Sequence, residues 1–180
     1  FGAGLNYSQT RNHLVISNSF YQFDFNLETG TWDLLDGQGK RVLKNAYARA
    51  VLLPPASKSE RALTSKSATQ RIFEKIETRD QLGEGIELKI KSKAGNAPAL
   101  INIFRFYNEQ RFITIRLELS EIGSDYASWR AKILEPLRLE GPAGGLFLGK
   151  NPAHHKILDN GFNWYLDFIV SLSELGSSLP

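Results

Sequence analysis

The sequence predicts an all-β fold, built as a large antiparallel β-sandwich. Apolar residues recur at every second position through most of the chain, which is the period of a strand with one buried face. Turns rich in glycine, asparagine and aspartate separate about ten to twelve such segments, a spacing typical of sandwiches. No segment combines a helix cap with a clear apolar stripe, and no internal repeat indicates a propeller or a β-helix.

The first elements are a predicted β-hairpin and a long strand. Every second residue of 21–27 is apolar, residues 28–30 form a turn, and residues 31–34 alternate again. A second turn at residues 36–39 leads into a strand over residues 41–53. The sandwich is therefore expected to open with antiparallel strands joined by tight turns.

The next stretch interrupts this pattern. Pro54 and Pro55 break regular structure, and the polar residues that follow as far as Lys66 predict an exposed loop. Residues 70–79 carry charges that suit a helix, but the neighbouring segments favour a strand. We therefore predict a strand over residues 70–79.

Two long hairpins follow in the middle of the chain. Residues 85–91 and 100–107 alternate, residues 108–110 form a turn, and residues 112–119 alternate again. In the last segment one predicted face is apolar, with Ile113, Ile115, Leu117 and Leu119, and the other is polar, with Thr114, Arg116 and Glu118. This division predicts antiparallel strands with a solvated outer face.

The last part of the chain is less regular. Residues 125–135 allow a helical turn but lack the helical period, and alternation resumes at residues 137–139. Residues 141–145 are a glycine-rich turn that precedes a short predicted strand at residues 147–149. A polar stretch then leads into residues 157–165.

Length and composition predict one domain. The chain has 180 residues, of which 42% are hydrophobic and 23% charged, values that allow a packed core. We expect a single domain over residues 1–175, with residues 176–180 as the start of a linker to a further domain. The absence of methionine, even at position 1, indicates a piece of a longer protein.

Charge and residue usage exclude several classes of function. The net charge of +3 comes from 22 basic and 19 acidic residues spread along the chain, which disfavours nucleic acid as a partner. No apolar run is long enough to span a membrane, so no membrane partner is expected. The chain has no cysteine, which excludes disulfides and thiolate sites but does not fix the compartment. No motif indicates a cofactor.

The sequence shows no complete catalytic motif. It lacks the nucleophile elbow of serine hydrolases, and His13 lies at the start of a predicted strand. His154 and His155 could share a metal with Asp159 only in a loop, since neighbours on a strand point to opposite faces. Paired carboxylates for glycoside hydrolysis would have to come from residues that lie mostly at turns or alternating positions, namely Asp24, Asp33, Asp36, Asp125, Asp159 and Asp167. We therefore assign no catalytic residue and no metal ligand.

One segment has the residue types that bind sugars. Asn160, Phe162, Asn163, Trp164 and neighbouring residues combine amide groups with aromatic rings, which stack on the apolar faces of sugars. Asn and Gly at 160 and 161 favour a turn, which would bring the aromatic residues near a loop tip. Alternatively, the two aromatic residues at alternate positions fill the core face of a strand.

This segment also carries a resemblance. Residues 157–164, read as Ile-Leu-Asp-Asn-Gly-Phe-Asn-Trp, resemble the Asn-Gly-aromatic-Gln-Ser-Trp segment in the N-terminal domain of α-galactosidase and raffinose-synthase-like glycoside hydrolases. Residues 20–43, with the Leu-Glu-Thr-Gly turn and Trp32, are similar to the opening hairpins of those domains. The resemblance implies a galactose-mutarotase-like β-supersandwich ahead of a catalytic barrel, and a pocket-lining role for Trp164 with Asn160, Phe162 and Asn163.

Three functions follow as hypotheses. The resemblance implies a non-catalytic domain that braces the barrel of an α-galactoside hydrolase, with carbohydrate and that barrel as partners and a homo-oligomer as a further option. A free-standing carbohydrate-binding or structural sandwich is the second hypothesis, with Trp32, Trp129 or Trp164 as a stacking platform. A mutarotase-like enzyme that uses His154 or His155 with a carboxylate is the third.

Overall fold

The computed structural model describes residues 4–55, 59–140, 144–146, 156–161 and 169–174. The chain divides into two compact units, residues 1–146 and residues 147–180. Each unit is described by itself below. The expectation of one domain over residues 1–175 stays a prediction.

Nearly all of the regular structure is β. The strands of the first unit are β1 (Asn6–Gln9), β2 (His13–Ser17), β3 (Tyr21–Asn26), β4 (Thr31–Asp36), β5 (Arg41–Leu53), β6 (Arg61–Thr64), β7 (Gln70–Asp80), β8 (Gly83–Lys93), β9 (Ala99–Tyr107), β10 (Ile113–Ser120), β11 (Arg130–Arg138) and β12 (Gly145–Leu146). Those of the second unit are β13 (Lys156–Gly161) and β14 (Ile169–Glu174).

Two antiparallel sheets form the first unit. The first has the order β1-β2-β3-β4-β5-β11, and β6 and β12 also pair with β5. The second has the order β10-β9-β8-β7. Consecutive strands are neighbours in most of this topology, as expected when short turns connect them. In the second unit, β13 and β14 pair antiparallel, with Lys156 opposite Glu174.

The main core lies between the two sheets, and alternation along the strands builds it. On β3, Phe23 and Phe25 are fully buried, while Asp24 between them faces outward. Phe23 packs against Phe104 of β9 with ring centroids 4.7 Å apart, and Trp32 packs edge-on against the same ring at 5.6 Å. The all-β sandwich predicted from the sequence is confirmed.

A second, smaller core cluster lies under the other half of β5. It contains Ala50, Leu63, Leu100, Leu117 and Tyr126, all buried. Leu63 explains why part of the loop predicted as far as Lys66 is wrong. Residues 61–64 of the expected loop form strand β6, since pairing with residues 49–52 of β5 buries Leu63 and satisfies the backbone.

The other ambiguous segments are resolved by the structure. Residues 70–80 form the long strand β7, so the predicted strand is confirmed. The helical turn allowed after residue 124 is a single 3-10 turn, Ser124–Tyr126, and β11 follows it. On β10 the division into an apolar and a polar face is confirmed by alternating burial. Among the described residues, no helix has the length and apolar character needed to cross a membrane.

Candidate functional site

A polar cleft opens on the face of the first sheet that is turned away from the core. Its volume is about 310 Å³, at the lower end of the range of small-molecule sites. Ten residues from four strands and the loops beside them line it, namely His13, Asp24, Asn26, Thr29, Thr31, Trp32, Asp33, Asn45, Lys66 and Glu140. Nine of these ten residues are polar, although apolar atoms make up most of the surface that the lining exposes to the cleft. Because the strand residues alternate with buried ones, the strands that build the core also present the cleft.

Two carboxylates lie at the centre of the cleft. Asp24 of β3 and Asp33 of β4 are directly opposite each other in the hairpin. Like charges in this position destabilise a sheet. Each carboxylate has its own partner, because Arg41 Nε lies 3.1 Å from Asp33 Oδ2 and His13 Nδ1 lies 2.7 Å from Asp24 Oδ1. Arg41 is a cation, and the His13 ring is a hydrogen-bond partner of Asp24.

His13 contributes a further polar group at the edge of the cleft. It is the first residue of β2, and its backbone N–H donates to Thr10 Oγ1 at 3.1 Å. Its ring is oriented by the Nδ1 contact with Asp24, which leaves Nε2 for other partners. The side chain is 42% exposed, so a ligand in the cleft can reach it.

A β-bulge shapes the wall formed by β5. Trp32 is opposite Ala46 and Leu34 is opposite Leu43, so β5 has one residue more than β4 over this stretch. Asn45 lies in the bulge with φ of 52°, a conformation that asparagine tolerates better than most residues. Its backbone N–H donates to Asp33 Oδ1 at 2.7 Å. The bulge thus fixes the orientation of the Asp33 carboxylate.

Glu140 and the residues that contact it close another side of the cleft. The hydroxyl of buried Tyr47 donates a hydrogen bond to Glu140 Oε2, and Arg138 Nη2 lies 3.7 Å from Glu140 Oε1. The Tyr47 hydrogen bond, with the charges of Arg138 and Lys66, lowers the pKa of Glu140 from its ordinary value. Burial and the same hydrogen bond raise the pKa of Tyr47. Lys66 Nζ lies 4.6 Å above the Tyr47 ring, a cation–π contact.

Arg71 holds the two loops that carry Thr29 and Lys66. Its guanidinium donates to the carbonyl oxygens of Leu27 and Glu28 at 3.1 and 3.0 Å in one loop. In the other loop it donates to Ser65 O, from Nε at 3.1 Å and from Nη2 at 2.6 Å, and to Lys66 O at 3.1 Å. Burial lowers the pKa of Arg71. A rigid fork of five donors suits this cluster of carbonyl groups, so Arg71 determines the spacing of the loops.

The cleft combines hydrogen-bond acceptors with donors. Asp24, Asp33 and Glu140 offer acceptor oxygens, and Lys66 and the threonine hydroxyls offer donors. Arg41 lies beside Asp33 and Arg138 lies beside Glu140, while Asp24 has the His13 ring as its hydrogen-bond partner. Within the described ranges, no group of three or more His, Asp or Glu residues could hold a metal ion. The arrangement suits a neutral ligand with several hydroxyl groups.

The predicted sugar-binding segment lies in the second unit. Asn160 is in strand β13, opposite Val170, so the turn predicted at residues 160 and 161 is wrong and these residues extend the strand. Phe162, Asn163 and Trp164 lie outside the described residues, as do His154 and His155. Their proposed roles therefore stay predictions.

The aromatic platform of the second hypothesis is not provided by two of its candidates. Trp32 is only 2% exposed and packs against Phe23 with ring centroids 5.4 Å apart. Trp129 is half-buried, with its ring 4.9 Å from that of Tyr126. Trp32 faces the core because of the period-two pattern of β4, and Trp129 packs on Tyr126 just before β11 begins. Trp164 is the remaining candidate.

The cleft was not predicted as a site, although its parts were visible in the sequence. The local sequence pattern indicates only that Asp24 and Asp33 are solvated carboxylates at alternating positions and that His13 lies at the start of a strand. The missed signal is their symmetry, since Asp24 lies three residues before the turn at residues 27–30 and Asp33 three residues after it. Residues placed in this way are opposite each other in a regular hairpin. Glu140 is separated from them by more than ninety residues of sequence, and nothing local indicates the contact.

Comparisons of the chain with protein-family models, with curated proteins and with solved structures found no match.

Proposed function

We propose that this β-sandwich binds a neutral carbohydrate in the polar cleft. The observation that carries the proposal is the composition of the lining, in which nine of ten residues are polar and each carboxylate already has a partner within the protein. A sugar hydroxyl donates one hydrogen bond and accepts others, so it can use carboxylate acceptors and the Lys66 donor together. A strongly charged ligand would disturb the internal ion pairs.

The site favours specificity over affinity. The described lining presents no exposed aromatic ring, so a sugar would be held by hydrogen bonds and water exclusion rather than by stacking. Polar recognition of this kind gives a small net gain for each hydrogen bond, about 1 kcal/mol. We therefore expect dissociation constants near the millimolar range.

The resemblance of residues 157–164 extends this proposal to a larger protein. In that setting the sandwich is the non-catalytic N-terminal domain of an α-galactoside hydrolase, and Trp164 with Asn160, Phe162 and Asn163 lines the sugar pocket of the barrel. The polar cleft is then a second carbohydrate site, on a different part of the chain. This extension depends on the resemblance alone.

The experiment is a titration of the isotope-labelled chain, followed by NMR, with neutral mono- and disaccharides that include galactosides. We expect saturable shifts of the Asn45 amide signal, because that amide reports on the Asp33 carboxylate. An anionic sugar such as a uronic acid should shift it less.

Matched variants distinguish cleft binding from general effects of sugar. Asp24→Asn removes a charged acceptor while keeping the shape of the side chain, and we expect affinity to fall about tenfold. Glu109→Gln changes an exposed carboxylate in a turn far along the chain and should bind like the wild type. Equal binding by the two variants, or no saturable shift with any neutral sugar, would rule out the cleft as the site.

A further inference from the structure

Strand β7 is the least protected sheet edge in the described part of the first unit. It is the terminal strand of the second sheet and pairs with β8 over eleven consecutive residues without a register shift. It contains no proline, and Ile72 on it is 62% exposed. A long, regular edge strand of this kind is a template for pairing with another strand.

The other edges carry the protection that β7 lacks. β1 has four residues, which is too short for extensive pairing. β11 contains Pro136 and two register shifts, and both features interrupt the addition of a strand. The edge strand β10 lies beside β11 where the two sheets approach each other. The difference indicates that, among the described strands of the first unit, β7 presents the edge best suited to pair with a partner strand.

The charges on β7 are complementary to those of a second β7 strand that pairs with it antiparallel. Lys75 and Glu77 are both exposed and share one face of the strand. Neither has an ion-pair partner within the described residues, and Lys75 contacts the ring of Tyr7, at 5.1 Å. Opposite charges two positions apart on one face meet each other when two copies of the strand pair antiparallel.

The register of such a pair follows from the sequence of β7. If Ile76 lies on the two-fold axis, Lys75 of each copy is opposite Glu77 of the other, and no like charges face each other. Centring the pair on Glu74, Lys75 or Glu77 instead would place that charged residue opposite itself. Like charges directly opposite are destabilising, so the register centred on Ile76 is favoured over these three.

From these observations we infer that a second copy of this chain docks on β7, which joins the two four-stranded sheets into one continuous sheet across a two-fold axis. The interface is isologous, with Ile76 at its centre and two Lys75–Glu77 pairs around it. An edge-to-edge contact buries less surface than a typical stable interface, so the dimer should form at high micromolar concentration. This inference is independent of the proposed carbohydrate site.

The test measures self-association of the full 180-residue chain by sedimentation velocity over a range of concentrations up to about 1 mM. The wild type should sediment as a monomer at low concentration and as a dimer at high concentration. Lys75→Glu and Glu77→Lys should each weaken association at least about tenfold, because each places like charges opposite each other. Glu109→Lys, an exposed charge reversal away from β7, should dimerise like the wild type.

Two further samples make the test specific for this register. The double variant Lys75→Glu, Glu77→Lys restores both opposite pairs and should dimerise again. An equimolar mixture of the two single variants should form a heterodimer, since at positions 75 and 77 each carboxylate of one chain then faces an ammonium group of the other. A wild type that stays monomeric at about 1 mM, or single variants that dimerise normally, would overturn the inference. All variants change exposed residues, and thermal melts verify that they fold.

Discussion

Gly30 and Ser65 are in backbone contact that leaves no room for a side chain between them. A Cβ atom on Gly30 would lie 2.0 Å from the carbonyl oxygen of Ser65 and 2.6 Å from Arg71 Nε. The Ser65 hydroxyl also donates to the carbonyl oxygen of Gly30 at 2.6 Å, and accepts from the Ala48 N–H at 3.1 Å. The loops on the two sides of the cleft are therefore fastened to each other at this point.

Gly30→Ala is expected to destabilise the fold by about 2–4 kcal/mol, because the added methyl group collides with backbone and φ at this position is +69°. Gly39→Ala is the matched control, since φ there is +78° but no atom lies within 4 Å of the added carbon. Gly39→Ala should lower the free energy of unfolding by only about 1 kcal/mol, because backbone strain is its sole effect. Urea denaturation measures both. Similar losses for the two variants would show that the contact with Ser65 is unimportant.

Arg71→Lys is expected to weaken both stability and sugar binding. Lysine keeps the charge but lacks the planar guanidinium that donates to four carbonyl oxygens. We therefore expect the free energy of unfolding to fall by about 1–3 kcal/mol. Arg79→Lys serves as the control, because the side chain of Arg79 is 81% exposed. Denaturation midpoints and the Asn45 amide titration are the measurements. Wild-type behaviour of Arg71→Lys would mean that the loops hold their spacing without this residue.

The facing aspartates predict a measurable repulsion. Arg41→Gln removes the cation beside Asp33 and leaves its carboxylate opposite that of Asp24, which should cost about 0.5–1 kcal/mol. Adding Asp24→Asn should recover most of this loss, since the repulsive partner is then neutral. A double-mutant cycle at low salt gives the coupling free energy. Additive effects of the two substitutions would contradict the repulsion, and Arg116→Gln at an exposed pair should be nearly neutral.

A second charged network lies on the outer face of the second sheet. Arg105 Nη2 lies 2.5 Å from Glu87 Oε2, and Arg105 Nη1 lies 2.8 Å from Asp80 Oδ2. Burial alone would raise the pKa of Glu87, but the hydrogen bonds and charge of Arg105 lower it overall from the ordinary value of 4.5. The backbone N–H of Leu82 and then the Tyr107 hydroxyl and Arg105 lower the pKa of Asp80 from 3.8.

The lowered pKa values of Glu87 and Asp80 predict how the stability of the fold changes as the pH falls. A carboxyl group whose pKa is lower in the folded state contributes stability above its unfolded pKa, and that stability disappears as the pH falls through the folded pKa. We therefore expect unfolding midpoints in urea to be constant near neutral pH and to fall below about pH 4.5. Arg105→Met should lower stability at pH 7 by about 1–2 kcal/mol and weaken this dependence. Adding Glu87→Gln should recover part of the loss, and a stability that rises on acidification of the wild type would contradict the assignment.

The sequence predicted the parts of the fold that depend on local pattern. The hairpin of β3 and β4, the strand β7 and the two faces of β10 follow from alternation and turn residues, because a strand with one buried face imposes that pattern. Strand β6 was missed, since its pairing with β5 and the burial of Leu63 depend on a partner distant in space. The cleft was missed for the same reason, because Lys66 and Glu140 reach it through tertiary contacts.

The extra residue in β5 matters to the cleft and not to the set of residues that β5 gives the core. Leu43 and Ala46 both face the main core, and Ala48 and Ala50 continue inward beyond them, so the bulge shifts the inward positions from odd to even numbers along the strand. Removal of Asn45 would restore unbroken alternation from Leu43 to Ala50 and leave the same residues facing inward. The same deletion would take away the N–H that holds Asp33. A change of strand length at this position would therefore alter the cleft while the inward-facing residues of β5 stay the same.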